Sequence, residues 1–153
     1  MLSGHRASLP TNYPLSFLCL YCLFAMAPWL GLKTVNCTRE GIEEVDKIRS
    51  YITGLKDAAD CKLYTPRVHD YEQNCPITTL SCFVKEFKVL VFDLELHKTN
   101  LTKPLDRRLN ILNQKQWQKD REGCPQCEVY EEKTAEAFLK DLQSILQYIH
   151  YNG

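Results

Sequence analysis

Four cysteines constrain this chain more than any other feature: Cys75, Cys82, Cys124 and Cys127. The first two lie seven residues apart at the head of one apolar-periodic segment, and the second two lie three apart at the head of another. On a helix these spacings put two sulfurs near one face, roughly two turns and one turn apart. The layout suits two parallel bridges between the ends of two helices. It turns a set of amphipathic segments into a stapled bundle, and it points to an extracellular binding protein.

The pairing follows from what each bridge would constrain. Joining Cys124 to Cys127 closes a four-residue ring and gains little. Crossing to Cys75 and Cys82 closes loops of about 45 to 50 residues. Each such bridge stabilises by ~2–5 kcal/mol, against a net stability of ~5–15 kcal/mol for a domain. Order along two antiparallel ends favours Cys75–Cys124 and Cys82–Cys127. Two other readings of the same sulfurs stand beside this one. Cys124-Pro125-Gln126-Cys127 has the spacing of a redox pair, but the strand–helix setting of a thioredoxin-like site is missing. A C-x2-C pair is also half of many zinc sites, but Cys75 and Cys82 are too far apart for the usual second half.

The remaining cysteines bear on where the domain starts. The chain has 153 residues, which fits one domain. His5 and Arg6 lead into an apolar run from Leu15 to Ala27, with the small residues Ala25 and Ala27 at its end. This reads as a secretory signal peptide over residues 1–35, cut between about 27 and 36, with one folded domain over 36–153. The alternative is an uncleaved anchor, since the run continues through Trp29, Leu30 and Leu32 towards the ~20 apolar residues that span a bilayer. Of eight cysteines, Cys19 and Cys22 leave with the leader. Cys37 and Cys61 then flank the first helical segment and are candidates for an extra disulfide; free or intermolecular cysteines are the alternative. Both flanks would have to fold back along a helix roughly 22–28 Å long. Asn36-Cys37-Thr38 and Asn100-Leu101-Thr102 fit the N-glycosylation pattern. Lysine plus arginine equals aspartate plus glutamate, at 19 each, so no net charge draws the chain to nucleic acid or anionic lipid. Association must come from local patches.

Four segments carry helical period. Ile42, Val45, Ile48, Ile52 and Leu55 mark the first, from about Thr38, a plausible N-cap, to Lys56. A long punctuated connection from Asp57 to Cys75 follows. Leu80, Phe83, Val84, Phe87, Leu90 and Leu94 mark the second, from about Ile77 to Leu96; Phe87 to Phe92 is rich enough in strand formers to allow a strand instead. Leu105, Leu109 and Leu112 mark the third, from about Pro104 to Trp117. Ala135 to Ile149 carry the fourth, expected from about Glu128 to Tyr151. The expectation is an all-α four-helix bundle, with up-up-down-down topology open to it. His5, His69, His97 and His150 are scattered, and no nucleophile elbow, phosphate loop or metalloprotease helix is present. Neither an enzyme nor a cofactor is indicated.

Leu63-Tyr64-Thr65, Cys75 with Cys82-Phe83 and Glu86, and Gly123-Cys124 with Cys127-Glu128, Glu131-Glu132-Lys133 and Phe138-Leu139 together resemble the interleukin-15 family, with interleukin-15-like cytokines and interleukin-2 beside it. The likeness runs from about Ile42 to Ile149. It implies the short-chain four-helix cytokine bundle, with the cysteines paired as above. It also implies a secreted protein that clusters receptor chains: an interleukin-15 receptor α type, an interleukin-2 receptor β type and the common γ chain. By position, Glu44, Asp106 and Asn110 would meet the β chain, Gln147 the γ chain, and Tyr64, Glu86, Asp93 and Glu128 the α chain. Glutamate at 44 replaces the family's usual aspartate, Gln126 stands where an acid is expected, and Lys85 and Lys88 flank Glu86. A decoy or inhibitory binding protein on the same scaffold is the rival function.

Overall fold

The computed structural model describes residues 38–116 and 118–153. The expected leader, Asn36, Cys37 and Trp117 lie outside these residues. Four long helices carry the fold: α1 over 38–52, α3 (Pro76–Asp93), α4 (Lys103–Gln114) and α5 (Ala135–Asn152). A short α2 (Val68–Glu72) precedes α3. The segment from Phe87 to Phe92 is helical throughout.

Hydrogen bonds and ring contacts fix the directions. Thr38 Oγ1 lies 3.2 Å from His150 Nδ1, so the start of α1 meets the end of α5. Arg49 Nη1 donates to Gln143 and Nη2 pairs with Glu136, so the two helices run antiparallel. Tyr71 of α2 packs edge-on against Tyr148, 5.8 Å between centroids, and its hydroxyl donates to Gln116 just past α4. Hence α3 starts at the end where α1 starts, while α4 and α5 finish there. The order is up-up-down-down.

The core is the set of apolar positions that the period picked out. Val45, Ile48 and Ile52 of α1 are buried with Leu80, Phe83, Phe87 and Leu90 of α3. Leu105, Leu109 and Leu112 of α4 join Phe138, Leu139, Leu142, Ile145 and Leu146 of α5. The Phe83 and Phe138 rings lie 5.2 Å apart at its centre.

Three boundaries differ from expectation. Thr38 is helical and buried rather than a cap, and α1 stops at residue 52, ahead of Gly54. The chain turns out of α3 at Glu95, whose φ of 52° is left-handed. The fourth helix begins at Ala135, not near Glu128. The intervening residues form a 3-10 turn (Cys127–Val129) and a short strand β2 (Glu132–Thr134), and the Thr134 hydroxyl caps α5 by accepting from Ala137 N. Strand β2 pairs antiparallel with β1 (Lys62–Tyr64), in the register Lys62↔Thr134, Leu63↔Lys133, Tyr64↔Glu132. This ribbon gives structure to the long connection that sequence read as loop. Leu63 buries its side chain beneath it.

The two bridges are Cys75–Cys124, with Cα atoms 5.7 Å apart, and Cys82–Cys127, at 5.2 Å. Covalent pairing leaves no thiolate for zinc among these four, and Cys124 is not joined to Cys127, which removes the redox reading. Around them Asp120 accepts from the backbone N–H of Ile77 and Thr78, and Arg121 Nε donates to the Gln73 carbonyl. The loop before Cys124 thereby caps the first turn of α3, where Pro76 lacks an N–H of its own. Cys61 is a free, buried thiol, and Cys37, its candidate partner, lies outside the described residues. Burial pushes the Cys61 thiol up to about 11, and Asp93 and Glu86 push the same way, so it stays protonated and unreactive.

Candidate functional site

The Cys82–Cys127 bridge brings two acidic side chains to one edge: Glu86, one turn beyond Cys82, and Glu128, next to Cys127. The ribbon adds a third and a fourth group. Glu86 Oε2 accepts the Tyr64 N–H at 2.9 Å, fixing β1 to α3. Tyr64 stands opposite Glu132 in the ribbon, and that carboxylate, followed by Glu128 and Glu86, holds the Tyr64 phenol above its ordinary range. Burial is the main cause that raises the Glu86 carboxyl; Glu128 and Glu132 add to it, while the Tyr64 N–H and Lys85 oppose it. Lys133 does not neutralise the cluster, because its Nζ is 2.7 Å from Asp141.

Asp93 continues this edge along α3, two turns beyond Glu86. Between them the same helix exposes Val89 (39%) and Phe92 (74%), and Val129 (73%) stands beside Glu128. Large apolar side chains set among charged ones have the make-up of a protein interface, with anchors inside a polar rim. All four expected α-type residues, Tyr64, Glu86, Asp93 and Glu128, thus share one edge. Glu132, Val89, Phe92 and Val129 escaped the sequence reading. Glu132 joins through a strand pairing that no helical period signals, and the apolar three are visible only as exposure.

The expected β-type residues come from two helices, α1 and α4. Asp106 and Asn110 do share a face of α4: Asn110 Nδ2 donates to the Asp106 carbonyl at 2.7 Å and to Oδ1 at 3.3 Å. Glu44 is instead held by Arg108, whose Nε donates to both carboxylate oxygens at 3.0 Å and whose Nη1 pairs with Glu40. Arg108 lies two residues past Asp106, roughly 200° round the helix. The Glu44 side chain is only 13% exposed. Arg108→Ala strands that carboxylate and is expected to cost about 1–2 kcal/mol. Thermal unfolding checks this, and adding Glu44→Gln, which removes the stranded charge, should recover most of the loss. Gln147 is exposed on α5, and Asn100 is exposed in the α3–α4 connection.

Among the described residues no helix is long and apolar enough to cross a membrane. A four-helix, up-up-down-down bundle with crossed bridges and a β1–β2 ribbon is the architecture of a short-chain helical cytokine. Comparison with known proteins narrows the class. The family profile described as Interleukin 15 matches residues 18–150. Interleukin-15 of Ovis aries is 33% identical over 93 residues, 58% of this chain and 54% of that protein. Interleukin-15 of Ailuropoda melanoleuca is 28% identical over 109 residues, 69% of this chain and 64% of its own. That of Cavia porcellus is 29% identical over 131 residues, 82% and 74% respectively. The aligned stretch thus covers between about half and three quarters of these curated relatives. No solved structure gave a significant match. The chain belongs to the interleukin-15 family.

Proposed function

We propose that the chain is a secreted cytokine that acts by clustering receptor chains on lymphocytes. The leader over 1–35 directs it to the secretory route, where Asn36 and Asn100 are glycan acceptors. The acidic and apolar edge of Tyr64, Glu86, Asp93, Glu128 and Glu132 captures an α-type chain by charge-assisted contacts. Asp106 and Asn110, with Glu44 beside Arg108, face a β-type chain, and Gln147 faces the common γ chain. The observation that carries this reading is the edge itself. Three carboxylates converge on Tyr64, one of them half-buried with its carboxyl raised chiefly by that burial, and Lys133, next to Glu132 in the ribbon, is paired with Asp141 instead. Glu86 also fixes β1 to α3, but the gathering of Glu128 and Glu132 beside it suits a basic partner.

A second reading, a decoy that engages one chain only, draws support from Arg108. It occupies the Glu44 carboxylate that a signalling cytokine would offer. Signalling in cells bearing all three chains separates the two. The agonist gives a response that Gln147→Ala abolishes while α-chain binding stays intact. A parent chain that binds and never signals establishes the decoy.

A further inference from the structure

Lys103, at the start of α4, lines two depressions at once. One, of about 210 Å³, is walled also by Lys88 of α3, His97 and Asp106. The other, a groove of about 470 Å³, runs along α4 past Arg107 and Arg108. Lys103 and Arg107 are one turn apart on the same helix face. Lys88, His97, Lys103 and Arg107 are all exposed. The neighbouring cations are spoken for: Arg108 by Glu40 and Glu44, Lys98 by Glu95. Among the described residues Lys88, Lys103 and Arg107 have no ion-pair partner. The single acid of the cleft, Asp106, already accepts from Asn110.

We propose that Lys88, Lys103 and Arg107 form a binding face for a linear sulfated polysaccharide of the glycosaminoglycan type. Unpaired cations that follow a cleft and then a groove match a chain of protruding sulfates spaced along a strand. A planar lipid headgroup layer fits them less well, because the cations line depressions, and anionic lipid is concentrated in the leaflet that faces the cytoplasm. Without the leader, which carries Arg6 and Lys33 and no acid, acidic residues outnumber basic ones by two, so overall charge supplies no retention and a polyanion must find this face. Asp106 lines the same cleft, so a bound polysaccharide covers part of the proposed β-chain surface.

The choice of polysaccharide rests on the secreted reading. The measurement needs no receptor, so its failure leaves receptor clustering standing. The purified chain and its Asn100→Gln form, free of a glycan at that edge, are run on immobilised heparin and on a sulfopropyl resin of matched charge. Both forms should leave heparin at the higher salt. Lys88→Gln/Lys103→Gln/Arg107→Gln should weaken affinity for a heparin oligosaccharide by about tenfold or more, with unchanged melting temperature. Lys47→Gln/Lys56→Gln/Lys140→Gln, elsewhere on the surface, should not. Equal elution from both resins, equal losses in both triple variants, or binding only to phosphatidylserine vesicles would each overturn the proposal.

Discussion

Replacing all four bridge cysteines by alanine is expected to unfold most of the chain under conditions where either single-bridge variant remains folded. Cys75–Cys124 spans a separation of 49 residues and Cys82–Cys127 one of 45. Alone, either closes a loop worth about 4 kcal/mol of denatured-state entropy. The bridges are crossed, however. With one in place, the other closes a ring of about ten residues, made of the short stretches from Cys75 to Cys82 and from Cys124 to Cys127, and contributes about 3 kcal/mol. Removing one bridge therefore costs about 3 kcal/mol, and removing both costs about 7 kcal/mol. A domain of about 115 residues has roughly 6–17 kcal/mol in hand. Urea unfolding of the two pairwise alanine variants and of the quadruple variant, followed by far-UV circular dichroism, reads these differences. A quadruple variant that loses less than one bridge's worth would mean that helix packing alone secures the α3 start. The pairs should also differ in function. Loss of Cys82–Cys127 frees Glu86 from Glu128 and should lower α-chain capture beyond its effect on stability; loss of Cys75–Cys124 should not.

The helices were legible because their physics is local. Leu80, Phe83, Phe87 and Leu90 recur at helical steps whatever they pack against, and all four are buried. The cysteine pairs were legible because chain entropy disfavours a Cys124–Cys127 ring and order along the helix ends chooses between the two ways of crossing. What failed was whatever depends on a distant partner. Glu131 to Thr134 continues the charge pattern of a helix start, yet Thr65 N donates to the Glu131 carbonyl and draws the segment into a ribbon. Once it is a strand, Glu132 faces Tyr64. Glu44 is a β-chain position by resemblance, and sequence cannot place Arg108, 64 residues away, against it. The residues singled out on the acidic edge came from a resemblance; the ribbon and the bridge supply the reason that they converge.

Glu86 is where fold and function pull apart, and Glu86→Gln should separate them. Burial raises its carboxyl above the ordinary range, so the folded chain holds that proton more tightly than the unfolded chain. A raised group gives its full stabilisation at pH below the unfolded pKa and loses it as pH rises through the folded one. Ionising this carboxyl is therefore a cost to the fold, with Glu128 and Glu132 increasing it. Glutamine keeps an oxygen that accepts the Tyr64 N–H and carries no charge. The variant should melt at or above the parent's temperature at pH 7, and the gap should close in acid below the glutamate range. Its affinity for an α-type chain should nevertheless fall by about 30-fold or more, the loss expected when one partner of a desolvated ion pair is removed. Glu86→Ala supplies the contrast: it also strands the Tyr64 N–H and should lower stability by about 1–3 kcal/mol. Surface plasmon resonance and melting curves on the same preparations decide the matter. A glutamine variant that binds like the parent would reduce Glu86 to a cap on β1 and move receptor capture to Glu128, Glu132 and the apolar side chains between them.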